Sequence, residues 1–377
     1  MTKAAELAKM GEVLTNSQIG GRRNIAYNGA MQVAQRGTSF TGLGGTSGVY
    51  TIDRYRVGFT MNSGRLTITQ STDTPNGFGN SLKADITTAE SSLNSASASC
   101  ISQFFEGQDV QQFKKGTSDA EQYTLSFHVK SNVTGTYIVE LFDQDNTRQV
   151  SKSYTIDSAN TWEKKTLTFP ADTTGAFDDD NAHSLSVQWF LASGTDRASG
   201  TLNTSWASST NANRAVGQAN LFSSTDNEWY ITGVQLEVGS QATPFEHRSF
   251  GEEITLCQRY FRLSNDGSHS YQPVGNGIGY AESTASVTTF WTWEIEMRTA
   301  PTLAVFDEGN SLGSVFARQD KSYFCDGVAI GVHGKKGILI NLTTPNDNAG
   351  DTNFQDAVPA GIYASGSNIA WSLDAEL

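Results

Sequence analysis

Apolar and polar residues alternate with a period of two along several stretches of this chain, and that period constrains its fold more than any other feature. The alternation runs through residues 123–130, 137–141, 184–191 and, less regularly, 230–238. Because successive side chains of a β-strand point to opposite faces of its sheet, each stretch predicts a strand with one buried face. Clusters of Gly, Asn, Asp and Ser between the stretches are typical of turns. The sequence therefore predicts an all-β fold whose main domain is an antiparallel sandwich or jelly roll.

A second group of predicted strands occupies the C-terminal third of the chain. Its clearest member alternates Trp291, Trp293, Ile295 and Met297 with polar residues. Further strands are predicted within residues 323–332, 337–342 and 368–377. A stretch of this length is enough for a separate small domain, so we expect a second, smaller β-sandwich here.

The N-terminus carries a stretch with a helical period. Within residues 2–14, Leu7, Met10 and Leu14 fall on one stripe, and a polar hinge with two glycines follows. An isolated helix of about 13 residues is marginal in water, so this helix requires a partner: the body of the protein, other copies of the chain, or another protein. We expect it to anchor or oligomerise the chain. The predicted domains are a helical anchor and hinge at 1–21, the jelly roll at 22–250 and the C-terminal β domain at 251–377.

Charge and composition argue against several classes of function. The chain has 26 Lys and Arg against 39 Asp and Glu, a net charge of −13, and its basic runs are no longer than two residues. This balance argues against nucleic acid as a partner. The sequence contains no apolar run long enough to insert into a membrane and no apolar signal-peptide region, so we expect folding in a reducing cytosol. Cys100, Cys257 and Cys325 lack the C-x-x-C spacing of a zinc site, and their odd number argues against a disulfide framework.

No sequence pattern predicts catalysis. Five histidines are scattered without a carboxylate or nucleophile at a recognisable spacing, and H-E-x-x-H and P-loop motifs are missing. Residues 178–180, together with Glu163, could supply the two carboxylates of a glycosidase, but their separation cannot be read from a sequence. We expect a protein that is not an enzyme.

Two acidic turns are candidate calcium sites. Asp143 and Asp145 lie in the first turn, and Asp178 and Asp180 lie in the second. Their hard oxygen atoms suit calcium, but neither turn continues with the Gly and the distal Glu of an EF-hand loop. Asx-turn hydrogen bonding explains the same residues without a metal. We expect no cofactor, and a structural calcium ion is the alternative.

Long strings at both ends of the main domain resemble one class of protein. One string is RRNIAYNGAMQVAQRGTSF at residues 22–40, followed by YTIDRYRV at 50–57. It resembles the opening of fibre and minor virion proteins of tailed bacteriophages, especially marine ones. The junction that these proteins carry resembles NEWYITGVQLEVGSQATPFEHRSFGEEITLCQRYF at 227–261, and their C-terminus resembles SLDAEL at 372–377.

Two strands of the main domain are similar to strands of carbohydrate-binding-module jelly rolls. They are TWEKKTLTF at 161–169 and WYITGVQLE at 229–237. Jelly rolls of that type often bind a structural calcium ion through an Asp on the last strand, whereas Thr232 and Gly233 stand at the corresponding place here. The resemblance therefore implies a carbohydrate-binding-module-like jelly roll without this calcium ligand.

The resemblance implies a virion structural protein of the tail-fibre class that acts in host-surface adhesion and receptor binding, without enzymatic activity. It implies assembly in the host cytoplasm and a final location in the virion. The implied partners are further copies of the chain, usually in a trimer, other virion proteins bound through the N-terminal helix, and a bacterial surface glycan. A head fibre or capsid decoration protein attached through its N-terminus is the alternative function, and a polysaccharide depolymerase is the remote alternative.

Trp206 is the candidate for binding a sugar. Glycan recognition needs an exposed aromatic ring beside amides or charged groups, and Trp206 lies in a polar loop. Its candidate partners in that loop are Asn203, Asn211, Asn213 and Arg214. The alternative role of Trp206 is packing over an edge of the sandwich or between subunits. Three other tryptophans fall on apolar faces of predicted strands and are expected in the core: Trp189, Trp291 and Trp293.

Overall fold

The computed structural model describes Lys3 and residues 23–263, 272–283, 286–306, 315–318, 322–324, 327–343, 359–364 and 370–377. The chain divides into two compact units between Ile254 and Thr255, and the first unit also includes Leu377. Apart from Lys3, which is helical, the predicted N-terminal helix and its hinge lie outside the described residues. The same holds for Leu7, Met10, Leu14, His269 and Cys325.

The first unit is a sandwich of two antiparallel sheets. Its strands are β1 (Ser39–Gly44), β2 (Gly48–Tyr50), β3 (Arg56–Thr60), β4 (Arg65–Ser71), β5 (Ser81–Thr88), β6 (Ala98–Glu106), β7 (Tyr123–Ser131), β8 (Gly135–Asp143), β9 (Arg148–Ile156), β10 (Glu163–Phe169), β11 (His183–Ser193), β12 (Ala207–Ser208) and β13 (Glu228–Val238). Sheet A has the order β1-β4-β5-β13-β7-β10, and sheet B has the order β12-β9-β8-β11-β6-β3-β2. The prediction of an all-β jelly-roll sandwich is confirmed.

Helices are short in the part of the chain that the structure describes. They are α1 (Thr195–Ala198), α2 (Phe250–Cys257) and 3₁₀ turns at Gly107–Asp109, Gln111–Phe113, Asn211–Asn213 and Leu221–Ser223. None of these described helices has the length and apolar character needed to cross a membrane.

The core between sheets A and B is formed by the residues whose alternation predicts the strands. Leu125, Phe127 and Val129 of β7 are fully buried, and so are Leu185 and Trp189 of β11. The rings of Phe127 and Trp189 meet edge to face across the two sheets, with centroids 5.9 Å apart. This is a favoured geometry for aromatic pairs, and it adds to the gain from burying their area.

An irregular segment at residues 23–35 precedes β1 and is held against β13. The backbone N–H of Ile25 donates to the carbonyl oxygen of Leu236 at 2.8 Å. The side-chain amide of Asn24 donates to the carbonyl oxygen of Val234 at 3.0 Å. Because most of this segment is buried, its backbone groups need such partners in place of water.

A buried polar network joins this segment to residues far along the chain. The Asn28 side-chain amide donates to the carbonyl oxygens of Val33 (2.8 Å) and Asp53 (3.0 Å), and its oxygen accepts from the Val33 N–H (2.9 Å). The Asn28 backbone N–H donates to Glu253 at 2.5 Å, and Arg248 lies 3.4 Å from the same carboxylate oxygen. We call Asn28, Asp53, Arg248 and Glu253 the buried polar network.

The described part of the second unit is also built from antiparallel strands. They are β14 (Phe261–Leu263), β15 (Gln272–Ser283), β16 (Ser286–Thr292), β17 (Thr302–Phe306), β18 (Val315–Arg318), β19 (Ser322–Phe324), β20 (Gly327–Gly334), β21 (Gly337–Thr343), β22 (Pro359–Ala364) and β23 (Ala370–Asp374). One sheet has the order β14-β23-β17, and the other has the order β19-β18-β22-β15-β16-β21-β20.

The alternation at residues 291–297 does not form one continuous strand, so that prediction is wrong beyond Thr292, where β16 ends. The Trp293 indole N–H and the Met297 backbone N–H both donate to the Lys335 carbonyl oxygen, each at 2.8 Å. Lys335 lies in the turn between β20 and β21, so the chain after β16 is bonded to that turn. Met297 is nevertheless buried, and Trp293 and Ile295 are half-buried between exposed neighbours, so a weaker alternation persists without a strand.

We expect Asn28→Ala to lower the free energy of unfolding by about 2–4 kcal/mol, because it leaves buried groups of Val33 and Asp53 without a hydrogen-bond partner. Asn28 also has a φ of +49°, a left-handed conformation that Asn tolerates better than Ala. Chemical denaturation of the full chain measures the change. Asn76→Ala, at an exposed position, is the control and should leave stability almost unchanged. Equal stability of the two variants would contradict a structural role for the network.

Candidate functional site

Five polar residues form a row across the outer face of sheet B. From β3 to β9, the strand register aligns Arg56, Ser102, Gln188, Glu140 and Ser151. Each of them is next in the chain to a core residue, as Gln188 is to Trp189, so strand alternation directs the row away from the core. We call these five residues the polar row.

Residues 194–220, which contain α1 and β12, cover the β9 end of the polar row. β12 pairs with β9, and the Ser151 hydroxyl donates to the Arg214 carbonyl oxygen at 2.8 Å. As a result, Glu140 and Ser151 are fully buried although they face away from the sandwich core. Arg56 and Gln188, by contrast, are only half-buried.

A buried ion pair joins the covering segment to sheet B. The Arg214 guanidinium donates from Nε to Glu140 Oε1 at 2.9 Å and from Nη2 to Oε2 at 2.5 Å. Its Cζ atom also lies 5.1 Å from the centre of the Phe142 ring. Burial raises the pKa of the Glu140 carboxyl above its ordinary value, and the charge of Arg214 opposes that rise. Because an unpaired buried charge is costly, this bidentate pair holds Arg214 in place.

A small apolar cluster supports the same segment. Ile138 of β8 and Phe190 of β11 are buried against Ala215 of the segment, and Cys100 and Leu202 pack around them. Apolar burial therefore fixes the covering segment beside the ion pair. As a consequence, the border of the part of sheet B that the segment leaves uncovered is well defined.

The uncovered surface is a cleft of about 390 Å³, within the size range of small-ligand sites. Gly58, Cys100 and Gln188, from three adjacent strands, line it. Three arginines from separate segments also line it: Arg56 of β3, Arg197 of α1 and Arg214 of the covering segment. Residues 46–48, before and at the start of β2, also contribute, and the remaining lining residues are Phe59, Thr60, Ala98 and Phe190.

The cleft lining offers positive charge and hydrogen-bonding groups. Burial raises the pKa of the Cys100 thiol and outweighs the opposite effect of the Ser102 hydroxyl, 3.5 Å from Sγ, so the group remains a thiol at neutral pH. Among the described residues that line the cleft, none is Asp, Glu or His. The arrangement is therefore suited to holding a polar ligand by its oxygen atoms.

Trp206 lies at an edge of the sandwich and does not line the cleft. Its indole N–H donates to the Pro170 carbonyl oxygen at 2.9 Å, and its ring centre lies 5.8 Å from that of Tyr123. The Lys115 ammonium lies 5.3 Å from the Trp206 ring centre. These contacts match the alternative role, packing over the sandwich edge.

The asparagines of the predicted site bond mainly within their own loop. The Asn213 side chain donates to Asn203 Oδ1 at 3.2 Å and accepts from the Thr201 N–H at 3.0 Å. Asn211 is exposed at the start of a 3₁₀ turn. Of the five predicted glycan-binding residues, Arg214 lines the cleft, and the structure separates it from Trp206.

Sequence reasoning missed Arg56, Gln188 and Arg197 as site residues. Gln188 stands at a polar position of an alternating stretch, so its outward orientation could be predicted from the sequence. The outer face of sheet B at Gln188 forms a cleft only because residues 194–220 cover the neighbouring part of the sheet. No local sequence pattern indicates the contact between that segment and the sheet.

The first predicted calcium turn is bound to a lysine side chain. The fully buried Lys115 ammonium lies 2.5 Å from Asp143 Oδ2 and 3.1 Å from Asp172 Oδ2. It also donates to the carbonyl oxygens of Thr174 (3.0 Å) and Gly175 (2.6 Å). A cation that satisfies buried oxygen atoms is thus supplied by the chain itself beside Asp143.

The remaining acidic candidates accept backbone hydrogen bonds. Asp145 accepts from the Asp178 N–H at 3.0 Å, and Asp180 accepts from the Ala182 N–H at 2.8 Å in an Asx turn. Glu163 accepts from the backbone of the preceding turn and pairs with Lys165 at 2.5 Å. Within the described ranges, no three His, Cys, Asp or Glu side chains are placed to hold a metal ion.

No family model matches the chain, and no curated protein matches it. Several solved structures are similar at low identity. The enzymatically active domain of tailspike protein 4 of bacteriophage CBA120 is 16% identical, with a TM-score of 0.30 over 57% of this chain. The matched part is 21% of the tailspike domain, so this chain spans about a fifth of its length.

Two sugar-binding structures are similar over most of their own length. The family 11 carbohydrate-binding module of Clostridium thermocellum, in complex with a β-1,3-1,4-mixed-linked tetrasaccharide, is 11% identical, with a TM-score of 0.28 over 55% of this chain and 99% of the module. A putative sugar-binding protein of Bacteroides thetaiotaomicron is 11% identical, with a TM-score of 0.29 over 57% of this chain and 100% of that protein. The fold assignment rests on the strand order and register of this chain.

We expect Lys115→Met to lower the free energy of unfolding by about 3–5 kcal/mol, because it leaves the buried Asp143 and Asp172 carboxylates without their shared ammonium. Lys114→Met is the matched control at the neighbouring position. The Lys114 side chain is 52% exposed and pairs with Glu121 at the surface, so its removal should cost less than about 1 kcal/mol. Thermal or chemical denaturation measures both. A similar small effect for the two variants would show that the buried ammonium is dispensable.

Proposed function

We propose that this chain is a virion protein of the tail-fibre class of tailed bacteriophages and that it adheres to host-surface glycans through the cleft on sheet B. The observation that carries this proposal is the open half of the polar row. The Arg56 guanidinium and the Gln188 amide of the row both line a concave surface, and the buried Ser102 lies between them in the strand register. Sugars are polyols, and sites of this kind orient them through a few well-placed polar groups.

The resemblance to fibre proteins supports the virion assignment. The strings at 22–40 and 227–261 that carry it supply all members of the buried polar network except Asp53, which lies in the string at 50–57. The resemblance is therefore to a scaffold. Most of the cleft lining, including Gln188, Arg197 and Arg214, comes from outside these strings.

An adhesive role fits the chemistry of the cleft better than a depolymerase does. Glycosidases use two carboxyl groups on either side of the scissile bond. The Glu140 carboxylate, which pairs with Arg214 of the cleft lining, is itself buried. The described lining of the cleft includes no Asp or Glu. A head fibre or capsid decoration protein would use the same scaffold, with attachment to the shell as its main task.

Binding of the fluorescently labelled full chain to host cells tests the proposal. We expect Gly58→Leu to abolish binding by filling the cleft. The fold should tolerate this substitution, because a Cβ at Gly58 would meet only Cys100, at ordinary contact distances of 3.4 Å and beyond. Gly79→Leu is the control, because a Cβ there meets nothing within 4 Å and the site is exposed. Periodate oxidation of cell-surface glycans should remove the wild-type signal.

Retained binding by Gly58→Leu, or on periodate-treated cells, would reject glycan adhesion through this cleft. Immunogold labelling of intact particles then separates the virion roles. Label at the tail is the expected result, and label on the capsid surface alone would favour the head-fibre or decoration alternative.

We expect the chain to form a homo-oligomer, and a trimer in particular, since the fibre proteins that it resembles are usually trimers. The stripe of Leu7, Met10 and Leu14 is too short to be stable as an isolated helix, and contact with other copies is one way to bury it. Light scattering of the full chain should give about three times the protomer mass of 40.7 kDa. A mass of one protomer at micromolar concentration would contradict self-assembly in solution.

A further inference from the structure

The cleft reverses the sign of charge that the rest of the chain carries. The whole sequence has a net charge of −13, yet three arginines line the cleft. Glu140 neutralises Arg214 from beneath, and the charges of Arg56 and Arg197 remain. In the described residues, no carboxylate forms an ion pair with either of these two side chains. A concave surface with uncompensated positive charge attracts anions.

Arg56 is held in position while its charge stays unpaired. Its Cζ atom lies 5.7 Å from the centre of the Phe104 ring, so the guanidinium has an aromatic support. It also packs against Gly48, where a Cβ would come within 1.8 Å of Nη2. Arg197 donates one hydrogen bond to the Ala96 carbonyl oxygen at 3.0 Å and retains further donors. A planar guanidinium of this kind can bind a carboxylate through two parallel hydrogen bonds.

Among the residues that the structure describes, none gives the cleft an exposed aromatic ring for stacking on the face of a neutral sugar. The two aromatic residues in its lining, Phe59 and Phe190, are 7% and 2% exposed. Ligand recognition therefore depends on charge and hydrogen bonding. The Gln188 amide bonds to the Ser186 hydroxyl with one of its two N–H groups, which leaves the other for a ligand oxygen.

We infer that the cleft binds a sugar that carries a carboxylate, as in the uronic or sialic acid units of an acidic surface polysaccharide. This inference rests on the proposed function and specifies its ligand class. Arg56 and Arg197 bind the carboxylate, and Gln188 binds a neighbouring hydroxyl group. The surface of an acidic capsule would otherwise repel a chain of net negative charge, so the adhesive contact is concentrated at this cleft.

Isothermal titration calorimetry on the full chain tests the inference. The probes are oligogalacturonate, oligomannuronate and N-acetylneuraminic acid, each compared with a neutral sugar of similar size, such as galactotriose. At least one acidic probe should bind more tightly than its neutral counterpart, and added salt should weaken its binding. Arg56→Gln should lower that affinity by at least about tenfold, because charge-assisted hydrogen bonds are lost. Arg56→Lys keeps the positive charge but lacks the planar guanidinium, so its affinity for the acidic probe should lie between those of the wild type and Arg56→Gln.

Arg65→Gln is the matched control, because Arg65 lies on β4 of sheet A and bonds to the carbonyl oxygen of Gly64. It should bind the acidic probe as the wild type does. Equal binding of acidic and neutral probes, or unchanged affinity in Arg56→Gln, would overturn the inference. Binding of none of the acidic probes would overturn it as well. In any of these cases, cell binding by the wild type that Gly58→Leu abolishes would still support glycan adhesion through the cleft. Only the acidic ligand class would then fail.

Discussion

The buried polar network of Asn28, Asp53, Arg248 and Glu253 is the interaction on which the rest of the first unit depends. An irregular segment can be buried only if its backbone N–H and C=O groups find partners, and Asn28 both donates and accepts for this purpose. Its bond to Glu253 joins positions 225 residues apart. With the N-terminal segment held in this way, β13 is covered along part of its length while it pairs with β5 and β7 in sheet A.

Buried ionic groups at two further places decide which surfaces of the sandwich stay open. The pair of Glu140 and Arg214 holds the covering segment over one half of sheet B. The Lys115 ammonium, bonded to Asp143 and Asp172, holds the loops at another edge, next to Trp206. In both places the energetic penalty of an unpaired buried charge favours a single loop position. The open half of the polar row is thus a preformed surface, and a preformed surface loses less entropy when it binds a ligand.

Local patterns predicted the strands well because the strand period is a local property. β7, β8 and β11 lie where the alternation places them, and their apolar residues form the core. The same pattern failed after Thr292, where hydrogen bonds to the Lys335 carbonyl oxygen replace strand pairing although Met297 stays buried. It also left two roles open for Trp206, sugar binding and packing at the edge of the sandwich. A polar loop has the same composition whether its ring faces water or packs on the edge of its own sandwich.

The sequence by itself determined the all-β class, the inward set of apolar residues and the outward direction of residues such as Gln188. These follow from hydrophobic burial acting on side chains that alternate along one strand. Only the tertiary structure decided that Arg56, Ser102, Gln188, Glu140 and Ser151 form one row. Their alignment depends on the register between strands that are distant in the chain, and register is set by the packing of the whole sandwich. The division of that row into a buried half and an open cleft depends in turn on a contact between residues 74 positions apart, Glu140 and Arg214.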